Sequence, residues 1–414
     1  MDEERRWFVG VDWASEDHVV RLSDVHGTKV GERSFKHGGE GLSALAVWIL
    51  ELTKAPPDVV HIAIEVPHGP VIESLMERGF HVYAINPKQL DRFRDRFSPA
   101  GAKDDSRDAW VLCDALRTDP RCFRVLVTLD PILVELREWS RIAEELRHDR
   151  NRLSSRVREL LWRYYPQLLE LTDDVAASWF LDLWRLVPTP EKAARVRETT
   201  VAKLLKRHRI RRITAGQVLE KLRAVAMPVA PGTINAATAH LETIATRLDV
   251  VNRQITRADA QLDTLTQRLA GEEAAEQGQS AEQRDVTILR SLPGVGRIVL
   301  ATLLAEASDA LQRRDYHALR CLSGVAPITK RSGKSRIVLM RQAVHVRLRN
   351  SVYHWARVAV QHDPRSRAKY AALRARGHGH GRALRSVADR LLAVACKMLT
   401  DRKTFDPALA TQTA

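Results

Sequence analysis

The chain has 414 residues, with 66 Lys and Arg against 51 Asp and Glu, a formal charge of +15. Hydrophobic residues make up 44% and charged residues 28%, an ordinary globular composition that excludes a wholly disordered chain. No apolar run reaches the roughly 18–20 residues that span a bilayer, and four scattered cysteines (Cys113, Cys122, Cys321, Cys396) with no CxxC pair argue against a disulfide framework or structural zinc and fit a reducing cytoplasm.

In chain order, Trp7–Val11, His18–Ser23 and Lys29–Phe35 read as three strands of a meander, separated by turn residues. Leu42–Leu52 has helical spacing and stops at Pro56-Pro57. Val59–Ile64 is a continuous apolar strand, as expected where both faces of a sheet are covered. A helix over Pro70–Arg78, a strand over His81–Ile85 and a helix containing Asp105 to Leu116 complete an α/β unit over residues 1–125. The order β-β-β-α-β-α-β-α is that of the ribonuclease H-like fold.

Residues 126–270 read as a helical coiled-coil region. One a/d seam runs from Ile132 to Tyr164 and a second from Ala237 to Leu269, so two long helices should pair with each other or across subunits. Between them lies a helical insert with a basic run, Lys203 to Arg212, that reads as a solvated face. The polar, acidic stretch 271–285 has no periodicity and reads as a linker. A mainly helical domain follows over 286–400, and 401–414 reads as a flexible tail. Residues 311–390 hold nineteen Lys and Arg against three acids, a local +16, so this third is the expected polyanion surface.

Four acids stand out by position. Asp12 ends the first strand, Glu65 ends the buried fourth, and Asp105 and Asp108 open a helix in KDDSRDA, on one face by their i,i+3 spacing. In a ribonuclease H-like sheet the first and fourth strands are neighbours, which brings these groups together. Four clustered carboxylates cannot all stay ionised without a cation, and oxygen-only ligation favours Mg²⁺ or Mn²⁺. The plain alternatives are a turn Asp and a helix cap. Asp104 is the ambiguous neighbour, and the DxxD spacing selects Asp105.

In the C-terminal third, the LPGVG turn places Gly294 and Gly296 where backbone amides can approach a phosphate, as in a helix-hairpin-helix. GVAPITKRSGKSRIV places Ser332 in a loop among Lys330, Arg331, Lys334 and Arg336. A serine there can attack phosphorus with the cations holding the charge; the plain alternative is a turn serine, and Ser335 is a second candidate. The HGHG run, with His378 and His380, reads as a flexible basic loop.

VGVDWA, IAIEVPHG, VYAINPKQLDRFR and AKDDSRDA, followed by LPGVG, GVAPITKRSGKS and LRNSVYHWA, together resemble the DEDD transposases of insertion sequences, the IS110 family of bridge-RNA-guided serine recombinases. The resemblance spans nearly the whole chain. It implies a RuvC-like domain, Asp12, Glu65, Asp105 and Asp108 as a metal-binding tetrad, and Ser332 as the nucleophile that becomes joined to DNA. It also implies duplex DNA and a structured guide RNA as partners, and a homo-oligomer, dimer or tetramer, working in the bacterial cytoplasm and nucleoid. Two departures from the pattern are Asp104, where the family often has threonine, and Ala343-Val344-His345, where a small-Cys-Asn or Gly-Asn run is expected.

Three other readings compete. A RuvC-like junction endonuclease would keep the metal site and use water as nucleophile. A sugar-kinase or actin-like ATPase is disfavoured by Trp13-Ala14 and by the lack of a second Gly-rich phosphate loop. A binding protein descended from an inactive transposase is disfavoured because all five expected residue types are present.

Overall fold

The computed structural model describes residues 6–65, 69–97, 104–127, 130–277, 285–333 and 335–407. The chain divides into two compact units, residues 1–129 and 130–414. The first is mixed α/β and the second mostly helical.

The first unit opens with an antiparallel meander, β1 (Trp7–Trp13), β2 (Asp17–Ser23) and β3 (Lys29–Lys36). After α1 (Gly39–Thr53), β4 (Val60–Ile64) pairs parallel to β1, with Gly10 opposite Ala63 and Val11 opposite Ile64. Then come α2 (Pro70–Glu77), β5 (His81–Ala84) parallel to β4, α3 (Pro87–Phe97), α4 (Asp105–Thr118) and a short antiparallel edge, β6 (Arg124–Val125). The sheet order is β3-β2-β1-β4-β5-β6.

Strand alternation assigns the two faces. Val9, Val11, Ile62 and Ile64 pack on Leu45 and Ile49 of α1 and Leu75 of α2. Ala63, from the opposite face of β4, packs with Val111, Leu112 and Leu116 of α4. Gly10 belongs to that face too, and its missing side chain lets α4 lie against β1. Asp12 and Glu65 fall on the same parity as Gly10 and Ala63, so they lie on the α4 side.

The second unit is organised by α5 (Pro131–Tyr164) and α10 (Pro231–Gln277). Asp130 caps α5 by accepting from the Ile132 amide, and Pro131 stands at its first position. The two long helices pair within the chain. Leu153, Val157 and Leu160 share a core with Leu241, Ile244 and Leu248, and Arg147–Asp259 and Arg150–Asn252 tie their flanks. Four short helices, α6 (Ser178–Leu186), α7 (Pro190–Arg195), α8 (Glu198–Arg207) and α9 (Ala215–Leu222), cap this core around Trp179, Phe180 and Trp184.

The α10 helix continues to Gln277, through the first seven residues of the expected linker. GEEAAEQ lacks an apolar stripe but is rich in strong helix formers, so propensity carries the helix past the end of the seam. Residues 278–284 of that stretch lie outside the described residues.

Then follow α11 (Asp285–Ser291), α12 (Arg297–Glu306), α13 (Ser308–Gln312), α14 (Tyr316–Leu322), β7 (Ile328–Ser332), β8 (Ser335–Leu339), α15 (Val346–His362), α16 (Pro364–Ala375) and α17 (His380–Asp401). Trp355 is fully buried at the centre of this group, and its indole N–H donates to the Pro293 carbonyl at 2.9 Å. The four cysteines are free thiols. Among the described residues no helix is long and apolar enough to cross a membrane.

Candidate active site

In the first unit, β1 and β4 run parallel and carry Asp12 and Glu65 one step beyond their last mutually paired residues, Val11 and Ile64. Both Asp105 and Asp108 lie in the first turn of α4. Asp108 is only 1% exposed. The α3 helix supplies its partner: Arg94 donates from Nε to Asp108 Oδ1 at 2.6 Å and from Nη2 to Oδ2 at 2.9 Å. The same guanidinium lies 3.8 Å from Glu65 Oε2 and binds Asp91, one turn back on α3, at 2.6 Å.

Asp12 registers the crowding. Its carboxyl is pushed up from 3.8 to about 6, first by burial and then by the negative fields of Asp108, Asp105 and Glu65, with Arg94 opposing. All four acids singled out in the sequence therefore act on one locale. Asp104 is exposed and contributes backbone: its carbonyl accepts from the Asp108 amide at 2.9 Å, and it is not among the groups that shift Asp12.

These groups fit a divalent cation by chemistry. The donors are oxygens only, and beside burial the fields of Asp108, Asp105 and Glu65 all raise Asp12 while Arg94 alone opposes them. Among the described residues no three His, Cys, Asp or Glu side chains close around a common point that could hold an ion. Arg94 instead occupies Asp108 and leans on Glu65. It is the functional candidate that sequence reasoning missed, although the i,i+3 pair Asp91–Arg94 was visible in PKQLDRFRDRF.

In the second unit, Ser332 is the last residue of β7 and stands opposite Ser335 across a tight hairpin. The expected loop is thus a two-stranded ribbon. Gly333 at its turn has φ +53, a left-handed conformation that glycine adopts freely. Lys334 lies outside the described residues. Apart from half-buried Ile328, the described ribbon residues are exposed. Lys330 shares the Ser332 face by alternation, whereas Arg331 and Arg336 stand directly opposite each other on the other face. Like charges in register destabilise a ribbon, so this pair works against the ribbon's own stability.

Gly294 and Gly296 part company. Gly294, at φ +82, packs on α15: a Cβ there would meet the Ala359 nitrogen at 2.8 Å. Its demonstrable role is close helix packing. Gly296 is the exposed N-cap residue of α12, with open space around it. The HGHG run is a loop only in its first half, His378-Gly379. His380 begins α17 and is hydrogen-bonded to the Tyr370 hydroxyl at 2.8 Å and the Tyr353 hydroxyl at 3.4 Å.

Residues 9–166 match the family model for IS110 DEDD transposases, and residues 286–371 match the model for the IS116/IS110/IS902 transposase family. A protein of Streptomyces coelicolor named as the mini-circle transposase for IS117 is 30% identical over 406 residues, covering 96% of this chain and 95% of its own. The chain belongs to the IS110 family of DEDD transposases. A protein of Sinorhizobium fredii named as transposase y4uE is 64% identical over 216 residues, a match that spans 52% of this chain and 60% of that relative's length. A 43.6 kDa protein of the IS110 element of Streptomyces coelicolor is 29% identical over 338 residues, 80% of this chain and 78% of its own. In this IS110-family chain the first matched stretch contains all four carboxylates, and the second contains Ser332 and both glycines.

Proposed function

We propose that this transposase cuts and rejoins duplex DNA with two sets of residues: Asp12, Glu65, Asp105 and Asp108, which would hold Mg²⁺ or Mn²⁺, and Ser332, which would attack the strand. The observation that carries the reading is the convergence of four carboxylates: the fields of Asp108, Asp105 and Glu65 add to burial in lifting Asp12 to about 6. The strand order, an antiparallel meander followed by β4 parallel to β1, supports a RuvC-like assignment for the first unit. When bound, divalent ions on such a tetrad activate an attacking oxygen and stabilise a departing one.

The chain's own residues supply the rest. Lys330, Arg331, Arg336 and, from the sequence, Lys334 hold phosphates beside Ser332. The Ser332 Oγ–phosphorus bond forms as the bond from phosphorus to one deoxyribose oxygen breaks. The hydroxyl proton leaves Oγ, and the departing sugar oxygen gains a proton. One phosphodiester is exchanged for another, so reversal rejoins a strand without an external energy source. The basic C-terminal third suits nucleic-acid backbones, and a structured guide RNA would supply sequence by base pairing. The working form is read as a homo-oligomer in the cytoplasm.

The test is an adduct assay on supercoiled element DNA. Wild type should yield an SDS-resistant protein–DNA complex, and Ser332→Ala should bind DNA but yield none. An adduct that persists in Ser332→Ala refutes the nucleophile. Cleavage by wild type with no adduct favours the junction endonuclease that uses water.

A further inference from the structure

We propose that Arg94 is a built-in counter-cation of the carboxylate site, held on Asp108 and Glu65 until a divalent ion displaces it onto Asp91. The inference rests on the reading that the tetrad is a metal site. It adds a competitor, supplied by the chain itself, that sets the metal concentration at which the site loads.

Three observations carry it. First, a carboxylate as buried as Asp108 needs a partner, because an unpaired buried charge is strongly unfavourable. Arg94 meets it with a two-pronged pair at 2.6 and 2.9 Å, the strongest geometry available to a guanidinium. Second, that pair engages both Asp108 oxygens at once, where a chelated ion would have to sit, while Nη2 also reaches toward Glu65. An ion cannot take both of those oxygens while the guanidinium keeps them. Third, Arg94 has somewhere to go. Asp91 is largely exposed, sits one turn back on the same helix and already accepts Arg94 Nη1 at 2.6 Å. Displacement therefore breaks the bonds to a buried carboxylate while the guanidinium keeps its solvated partner, without unfolding α3.

The experiment uses the full-length chain and Mn²⁺ as probe, with bound metal counted by electron paramagnetic resonance and melting followed with and without the ion. Arg94→Gln should bind Mn²⁺ about tenfold tighter or more, since two charge-assisted bonds no longer compete. Its metal-free melting temperature should fall and recover when Mn²⁺ is added. Asp91→Asn should move the other way and weaken Mn²⁺ binding, because the displaced guanidinium loses its second partner. An arginine with a purely structural role would not link Asp91 to metal affinity. If Arg94→Gln is folded and binds Mn²⁺ no more tightly than wild type, the proposal is overturned. Should Arg94→Gln fail to fold, unchanged or tighter binding by Asp91→Asn overturns it instead. If neither wild type nor Arg94→Gln binds Mn²⁺, the tetrad is not a metal site, and both readings fall together.

Discussion

A Cβ built on Gly10 would lie 1.9 Å from the carbonyl oxygen of Ala109 and 2.6 Å from the Cys113 amide nitrogen. Both obstacles are backbone, so neither can rotate away. This close approach sets the height of α4 above β1, and with it the distance of Asp105 and Asp108 from Asp12. Gly10→Ala should destabilise the first unit by about 1–3 kcal/mol or more, in the range of overpacked cores. Thermal unfolding measures this, and Asp12 should lose part of its raised proton affinity in the same variant.

Asp12 gives the metal-free protein a pH dependence of defined sign. A carboxyl whose affinity for protons rises on folding stabilises the fold below its ordinary value, and that contribution disappears as pH climbs through about 6. Stability without metal should thus decline between about pH 4 and 7, and Asp12→Asn should flatten that decline. Divalent-ion binding near pH 5.5 should release most of a proton and near pH 8 very little. Calorimetry in buffers of different ionisation enthalpy reads the difference.

Glu306 behaves in the opposite sense. Burial alone would raise its carboxyl, but a bond from His345 and the charge of Arg141 outweigh it and hold the group at about 2. Arg141 of α5 approaches at 3.3 Å, as do His345 and Arg347 at the start of α15. The stabilisation is complete above the ordinary value of 4.5 and is lost as pH falls toward 2. Glu306→Gln should cost about 3 kcal/mol near neutrality and blunt acid unfolding between about pH 4.5 and 2. Denaturant titrations across that range provide the check.

The serine ribbon predicts a separable salt effect. Replacing Arg331 or Arg336 by Ala should lower the salt slope of duplex binding by about 0.9 for each phosphate that is no longer neutralised. Either change also relieves the in-register repulsion between them. The two substitutions should therefore fall short of additivity in ribbon stability, while adduct formation still depends on Ser332. Fluorescence anisotropy at several salt concentrations, with a double-mutant cycle, tests both parts.

Much of the first unit was legible because its signals were local. Alternation placed β1 to β5 within a few residues, and parity then put Asp12 and Glu65 on one face. The sustained apolar seams required α5 and α10 to pair, with each other or across subunits, and the structure pairs them within the chain. Other features, α3 and β6 among them, were not legible. The ribbon looked like a loop because polar, basic strands bury nothing and leave little periodic signal. The extension of α10 rested on propensity without a stripe. Arg94 was missed because its meaning comes from Asp108, which is distant enough in the chain that no local pattern joins them. The packing of Gly294 was hidden for a similar reason: only the position of α15 shows it, while Gly296 stays exposed.

The β7–β8 ribbon has one more consequence. Among the described residues no third strand flanks it, so its outer rows of amides and carbonyls are open to any strand that arrives, including the same ribbon of another copy. Ile337, Val338 and Leu339 add exposed oily surface along that border. Lys330, Arg331 and Arg336 then act as gatekeepers that keep neighbouring ribbons from zipping together. If these cations also hold DNA as proposed, colloidal behaviour and affinity share them, and stripping those charges to study binding will shorten the protein's shelf life first.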